Sequence, residues 1–174
     1  MQIRIFHLTE GAKQAEGLAV IIDVFRAFSL ACYLFQNGAK RIIPVADVEE
    51  AYRLKAQHPE YILIGERNER KLPGFDFGNS PTHIEHVSFK GKTIVHTTSA
   101  GTQGIVNARN AADILTEVLS MHQRLYDTLK PMSLRLFPWY VWDIRQLNLP
   151  MKIYSARNTF GMNWKGNILI LTTW

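Results

Sequence analysis

Apolar runs and polar punctuation alternate along the first two thirds of the chain. MQIRIFHLTE (1–10) alternates apolar and polar positions like a strand. GLAVIIDV (17–24) is a β-branched run that ends on Asp23, the pattern of a buried parallel strand. FRAFSLACYLFQNGA (25–39) places apolar residues at 28, 31, 32 and 35 before Gly38, which predicts a helix and its stop. KRIIPVA (40–46) is the next strand and DVEEAYRLKAQ (47–57) the next helix, with Asp47 and Glu50 spaced as a capping box. YILIG (61–65) and KTIVH (92–96) are further strands, and TQGIVNARNA (102–111) reads as helical. Beyond position 116 no period is sustained, and only short strands such as NILILTTW (167–174) suggest themselves.

Strands alternating with helices predict an α/β fold, a mostly parallel sheet with helices on both faces. The 174 residues are 47% hydrophobic, enough for one cored domain. Charge changes along the chain. Residues 1–116 carry 13 Lys plus Arg against 12 Asp plus Glu, and residues 117–174 carry 7 against 3. All four Trp also lie in the second stretch, which predicts poor solubility or loose packing there. The near-neutral first stretch, and a tail without a basic stripe, argue against a nucleic-acid partner. No run approaches the roughly 18 apolar residues of a membrane span. Cys32 is the single cysteine and lies in an apolar helical stretch, so a buried structural thiol in a cytoplasmic protein is expected.

Chemistry concentrates in ERNERKLPGFDFGNSP (66–81). Two Pro and two Gly predict a loop, and it offers the carboxylates Glu66 and Asp76, the cations Arg67, Arg70 and Lys71, and the neutral groups Asn68, Asn79 and Ser80. Those are the parts of a site for a metal and a polyanion. In such folds ligands bind beyond the carboxyl ends of strands. Three polar clusters fall there: Asp23 with Arg26, Glu66 to Asn68, and Thr97 to Thr102. In TTSAGT (97–102) the hydroxyls of Thr97, Thr98, Ser99 and Thr102 surround Gly101 where a helix begins, suited to a phosphate or to an ordinary helix cap. GKT (91–93) lacks the upstream Gly of a phosphate loop, and HIEH (83–86) lacks metal-motif spacing. His96 ends a strand and is read as structural.

Five stretches, in order, carry a family likeness: VIIDVFRAFS, NGAKRIIPVADVEEAYRLK, IGERNERKLPGFDFGNSP, KGKTIV with TTSAGT, and NAADIL. Through them residues 1–116 resemble the first half of the 2-phosphosulfolactate phosphatase family. Phe28 and Ala100 depart from the family's common Thr and Asn. After Thr116 the family's pattern GSFxNA gives way to TEVLSMH (116–122). A back-translation with one added base restores TGSFVNA, and the same displaced frame permits family-like islands through PWYVWDI, LPMKIYS and MNWKGNILILTTW. Residues 117–174 are therefore expected to be an out-of-frame reading of the family's second half, leaving 1–116 as an incomplete domain.

The resemblance implies Mg²⁺-dependent hydrolysis of 2-phospho-3-sulfolactate to 3-sulfolactate and phosphate, a coenzyme M biosynthesis reaction. It also implies a small anionic phosphorylated substrate as partner and leaves oligomerisation open. Asp23, Glu66 and Asp76 are the candidate metal ligands. Asp23, Arg26, Glu66 and Arg67 are the candidate catalytic residues. Asn68, Asn79, Ser80, Thr97, Thr98, Ser99, Gly101 and Thr102 are the candidate anion cradle. The alternative is a non-catalytic remnant that binds phosphorylated small anions.

Overall fold

The computed structural model describes residues 3–23, 26–117 and 168–172. Its elements run β1 (Ile3–His7), α1 (Leu8–Lys13), β2 (Gly17–Ile22), α2 (Ala27–Gln36), β3 (Arg41–Pro44), α3 (Val48–Gln57), β4 (Ile62–Arg67), β5 (Arg70–Lys71), a 3₁₀ turn (Pro81–His83), β6 (Thr93–Thr97), α4 (Gly101–Asn107), β7 (Ala111–Glu117) and β8 (Ile168–Thr172). The α/β class expected from the sequence is what these elements form. The strands divide between two four-stranded sheets, however, where a single succession is expected.

The chain forms two compact units, one of residues 1–24 with 108–174 and one of residues 25–107. Thr116, after which the sequence is expected to leave the domain, lies within β7. In the first unit the order is β1-β8-β2-β7, and every pairing is parallel. Ile168 to Thr172 of β8 lie in register with both Ile3 to His7 of β1 and Leu18 to Ile22 of β2. Most of the segment expected to be out of frame, residues 118–167, lies outside the described residues. In β2, Leu18 to Ile21 are all buried, the continuous apolar run of a strand covered on both faces.

The second unit has the order β3-β6-β4-β5, with β3, β6 and β4 parallel and β5 antiparallel to β4. Alternation along its strands sorts the side chains into two cores. Ile42, Ile62, Ile64 and Ile94 join Leu30 and Leu34 of α2 on one face. Ile43, Leu63 and Val95 join Ala51 and Leu54 of α3 on the other. Each fully buried aliphatic side chain contributes about 1.5–3 kcal/mol, so these faces fix the register of β4 against β6. Cys32 is buried in α2, and desolvation pushes its thiol up to about 12, so it is the structural thiol expected.

Helix ends are handled unequally. At the end of α2, Gly38 (φ +94°) donates to Phe35 and Ala39 donates to Leu34, a Schellman closure that requires the left-handed backbone of glycine. At the start of α3, Asp47 is the N-cap by backbone, but the capping box expected with Glu50 is not formed. Glu50 instead accepts a hydrogen bond from Arg53 Nε at 2.8 Å. A charge-assisted bond to a guanidinium one turn away outcompetes a backbone N–H.

At Gly65 β4 lies so close to β6 that a Cβ would stand 2.2 Å from the carbonyl oxygen of Thr97. Only glycine fits, and the fit sets where Glu66 and Thr97 face each other. Gly65→Ala is expected to lower stability by about 2 kcal/mol, read as an earlier midpoint in chemical denaturation. An unchanged midpoint would show that the two strands separate there without cost.

Candidate functional site

The carboxyl ends of β4 and β6 carry the densest polar network of the second unit, and the hairpin at the end of β4 shapes it. Asn68 (φ +51°) and Glu69 (φ +62°) are both left-handed. Glu66 pairs with Lys71 and Arg67 with Arg70. This is a two-residue hairpin turn of the mirror-image kind that matches strand twist. The stretch 66–71, expected as loop, is therefore strand and turn. Asn tolerates the left-handed region, whereas Glu69 does so at a cost of about 1–3 kcal/mol. Glu66 offsets that cost, because its Oε2 accepts the Glu69 N–H at 2.8 Å.

Glu66 also reaches across to the β6–α4 loop. Its Oε1 accepts the Ser99 N–H at 2.9 Å, and its Oε2 accepts the Ser99 hydroxyl at 3.2 Å. Burial disfavours the charged carboxylate. The donors from Ser99 and Glu69, with the nearby positive charge of Arg67, together outweigh it and hold the pKa below the usual value. Glu66 is thus an ionised tie between the hairpin and the loop.

Arg67 is spread over three neutral oxygens. Nη1 donates to the Glu66 carbonyl at 2.8 Å, and Nη2 donates to the Ala46 carbonyl at 2.6 Å and to Thr97 Oγ1 at 2.7 Å. Among the described residues no carboxylate lies within 4.0 Å of its guanidinium. Its orientation is fixed and its charge is not cancelled by contact. Arg26 joins the same hairpin from the start of α2, with its guanidinium 3.9 Å from the exposed Glu69 carboxylate. The backbone of Arg26 is itself in a left-handed conformation (φ +86°), a local strain of the kind found at functional sites.

The remaining candidates divide. Thr98 and Thr102 satisfy one another: Thr98 N–H donates to Thr102 Oγ1 at 2.8 Å, and Thr102 N–H donates to Thr98 Oγ1 at 3.2 Å. Both are buried, so they act on the loop as its cap. Gly101 is buried at the start of α4, a helix of only seven residues. Asn79 is buried away from solvent, with its Oδ1 3.3 Å from His96 Nε2, and Ser80 Oγ lies 2.9 Å from Thr82 Oγ1. Asn68 is exposed at the tip of the hairpin. His83, Glu85 and His86 are exposed.

Of the three carboxylates expected to share a metal, Glu66 and Asp76 serve different ends of β4. Asp76 Oδ2 accepts the Leu63 N–H at 2.8 Å, near the start of β4, about 10 Å along the strand from Glu66. Lys55 Nζ stands 3.9 Å from the same oxygen. Asp76 pins the returning chain to the strand. Asp23 is buried just past β2, in the other unit. Among the described residues, no group of three His, Cys, Asp or Glu is placed to hold an ion. Glu66 alone meets the smaller demand of Mg²⁺ beside a phosphate, for which one or two carboxylates suffice.

Two participants escaped the sequence reading. Gln103, on α4, donates to the Ala46 carbonyl at 2.7 Å. Glu69 supplies both the strained turn and the partner of Arg26. Neither carries a local signal, since both act through contacts distant in sequence or through backbone angles.

The family model for 2-phosphosulpholactate phosphatase matches residues 4–130, past the break expected at Thr116. A probable 2-phosphosulfolactate phosphatase of Clostridium tetani is 45% identical over 101 residues, which is 58% of this chain and 43% of that protein. One from Thermotoga petrophila is 44% identical over 103 residues, 59% of this chain and 44% of its own. One from Carboxydothermus hydrogenoformans is 35% identical over 135 residues, 77% of this chain and 56% of its own. The matched part of this chain thus spans about half the length of these curated relatives.

His96 sets a pH limit on the arrangement. It is buried, and desolvation lowers its pKa from the ordinary 6.5 to about 4, with Glu66 opposing the shift. The folded state holds it neutral, so its contribution to stability is complete above about pH 6.5 and is lost as pH falls toward 4. The lowered pKa of Glu66 has the same sign, with stability present above 4.5 and lost as pH falls through its folded value. Thermal melts should drop across the His96 window, and His96→Gln should flatten that limb while leaving the Glu66 limb. A slope between 6.5 and 4 that survives the substitution would assign it to another group.

Proposed function

The chain belongs to the 2-phosphosulfolactate phosphatase family, and from that footing we propose that it hydrolyses 2-phospho-3-sulfolactate to 3-sulfolactate and inorganic phosphate, a reaction of coenzyme M biosynthesis. The observation that carries this reading is Arg67, a guanidinium fixed by three neutral oxygens with no carboxylate in ion-pair contact among the described residues, while Arg26 reaches the same hairpin through Glu69. Such a pair suits a substrate with phosphate, sulfonate and carboxylate groups, because guanidinium donors match tetrahedral and planar anions. Water attacks phosphorus, the ester P–O bond breaks, and the leaving oxygen takes a proton.

Arg67 would hold the phosphoryl oxygens as negative charge builds on them, the role in which preorganised donors lower a barrier most. Arg26 would leave Glu69 for an anionic group of the substrate. Ser99, whose N–H and hydroxyl are both turned to Glu66, keeps the β6–α4 loop beside the hairpin. Glu66 would hold Mg²⁺, which would neutralise charge on the phosphate when bound. No described helix is long and apolar enough to cross a membrane, and a cytoplasmic setting is part of the proposal.

One observation favours a second reading, a binding remnant without turnover. Only one of the three expected carboxylates, Glu66, stands in the β4–β6 network. Phosphate release from 2-phosphosulfolactate by the folded 174-residue protein separates the two. Turnover that chelator abolishes, and that Arg67→Met lowers at least about tenfold, is the expected result. Binding without release would establish the remnant, and neither binding nor release would defeat both readings.

A further inference from the structure

The Ala46 carbonyl, in the connection between β3 and α3, is the point on which two elements converge. Arg67 Nη2 donates to it from the end of β4 at 2.6 Å, and Gln103 Nε2 donates to it from α4 at 2.7 Å. A carbonyl oxygen has two lone pairs, and these two donors fill them. The turn of α4 that carries Gln103 is closed by Asn107, whose Nδ2 donates to the Gln103 main-chain carbonyl at 2.9 Å. The connection is steadied too, with Val45 N–H donating to the His96 carbonyl at 2.9 Å.

We propose that Gln103 is a positioning residue for anion recognition: its amide aims the Ala46 carbonyl so that Arg67 is locked toward an incoming anion. This rests on the reading of Arg67 as the anion-binding group. The chemistry of an amide is what the place requires. It donates a hydrogen bond as a charged group would, yet offers Arg67 no counter-charge, so the guanidinium keeps its full attraction for phosphate or sulfonate. A carboxylate at the same point would repel the Ala46 oxygen and capture Arg67 as an ion pair. An apolar side chain would leave the carbonyl with one donor and free to swing.

The test is calorimetric titration of the full chain with sulfate, a dianion like the groups of the substrate. The proteins are the wild type, Gln103→Met, Arg67→Met and the double variant, each checked for folding by its melting temperature. Gln103→Met should weaken sulfate binding by roughly threefold to tenfold, the value of one neutral hydrogen bond. The double variant should bind no more weakly than Arg67→Met alone, because a residue that works through Arg67 has nothing left to position. A residue that merely supports the fold would give losses that multiply. Gln103→Glu should abolish binding. If Arg67→Met does not fold, Arg67→Lys replaces it in the cycle. Wild-type affinity in Gln103→Met, wild-type affinity in Gln103→Glu, or multiplicative losses would each overturn the inference while leaving the anion site standing. No sulfate binding by the wild type would overturn the anion site, and the inference with it.

Discussion

The carboxylate of Glu66 accepts three hydrogen bonds, from the Glu69 backbone, the Ser99 backbone and the Ser99 hydroxyl, and the strand ends of the second unit depend on it. One bond holds a turn whose second residue is in an unfavourable backbone region. The other two carry the β6–α4 loop to that turn. Without them the hairpin and the loop would be joined by the β4–β6 ladder, which closes at Gly65 and Thr97, and by the Arg67 bond to Thr97 Oγ1. Because Gly65 admits no side chain against Thr97, the distance over which Glu66 must reach is set by the backbone itself. Sheet packing, turn conformation and loop position are therefore one constraint expressed three times.

Charge is arranged around that tie with a consistent logic. Glu66 is ionised but occupied by donors, so it lends a field to its neighbours without pairing with Arg67. Arg67 is held by oxygens that orient it and do not neutralise it. His96, beneath them, stays neutral because burial outweighs the pull of Glu66. Arg67, oriented by neutral acceptors and in ion-pair contact with no carboxylate among the described residues, is placed to attract a negatively charged ligand. The family's phosphorylated substrates meet that description, which is why membership and geometry point the same way.

Much of the fold was legible in the sequence, since β-branched runs and a 3.6-residue period speak directly for strands and helices. β2, α2, β3 and α3 fall within the stretches those patterns mark, β4 and β6 overlap theirs and run on past their carboxyl ends, and β8 falls within NILILTTW. The exceptions have physical reasons. α1 is six residues long and shows no full period. β5 follows a turn built on Asn-Glu, without the glycine that usually announces such a hairpin. The division into two sheets depends on which strands pair, information that no local pattern holds. At the site, the clustering of polar residues at strand ends was legible as composition. What each one touches was not: Asp76 looks like a ligand and serves a strand, Thr98 and Thr102 look like a phosphate cradle and satisfy each other, and Gln103 looks like nothing until the Ala46 carbonyl is in place.

The central claim is that Arg67, oriented by neutral acceptors and set beside the Glu66 tie, is where this protein meets an anion. The most direct measurement follows the side-chain nitrogen resonances of its arginines by NMR as inorganic phosphate is added to the whole chain. The account predicts a saturable shift at Arg67, with Arg26 and the backbone amides of Glu69 and Ser99 responding at the same midpoint. A saturable response confined to arginines elsewhere, with Arg67 unmoved, would contradict it.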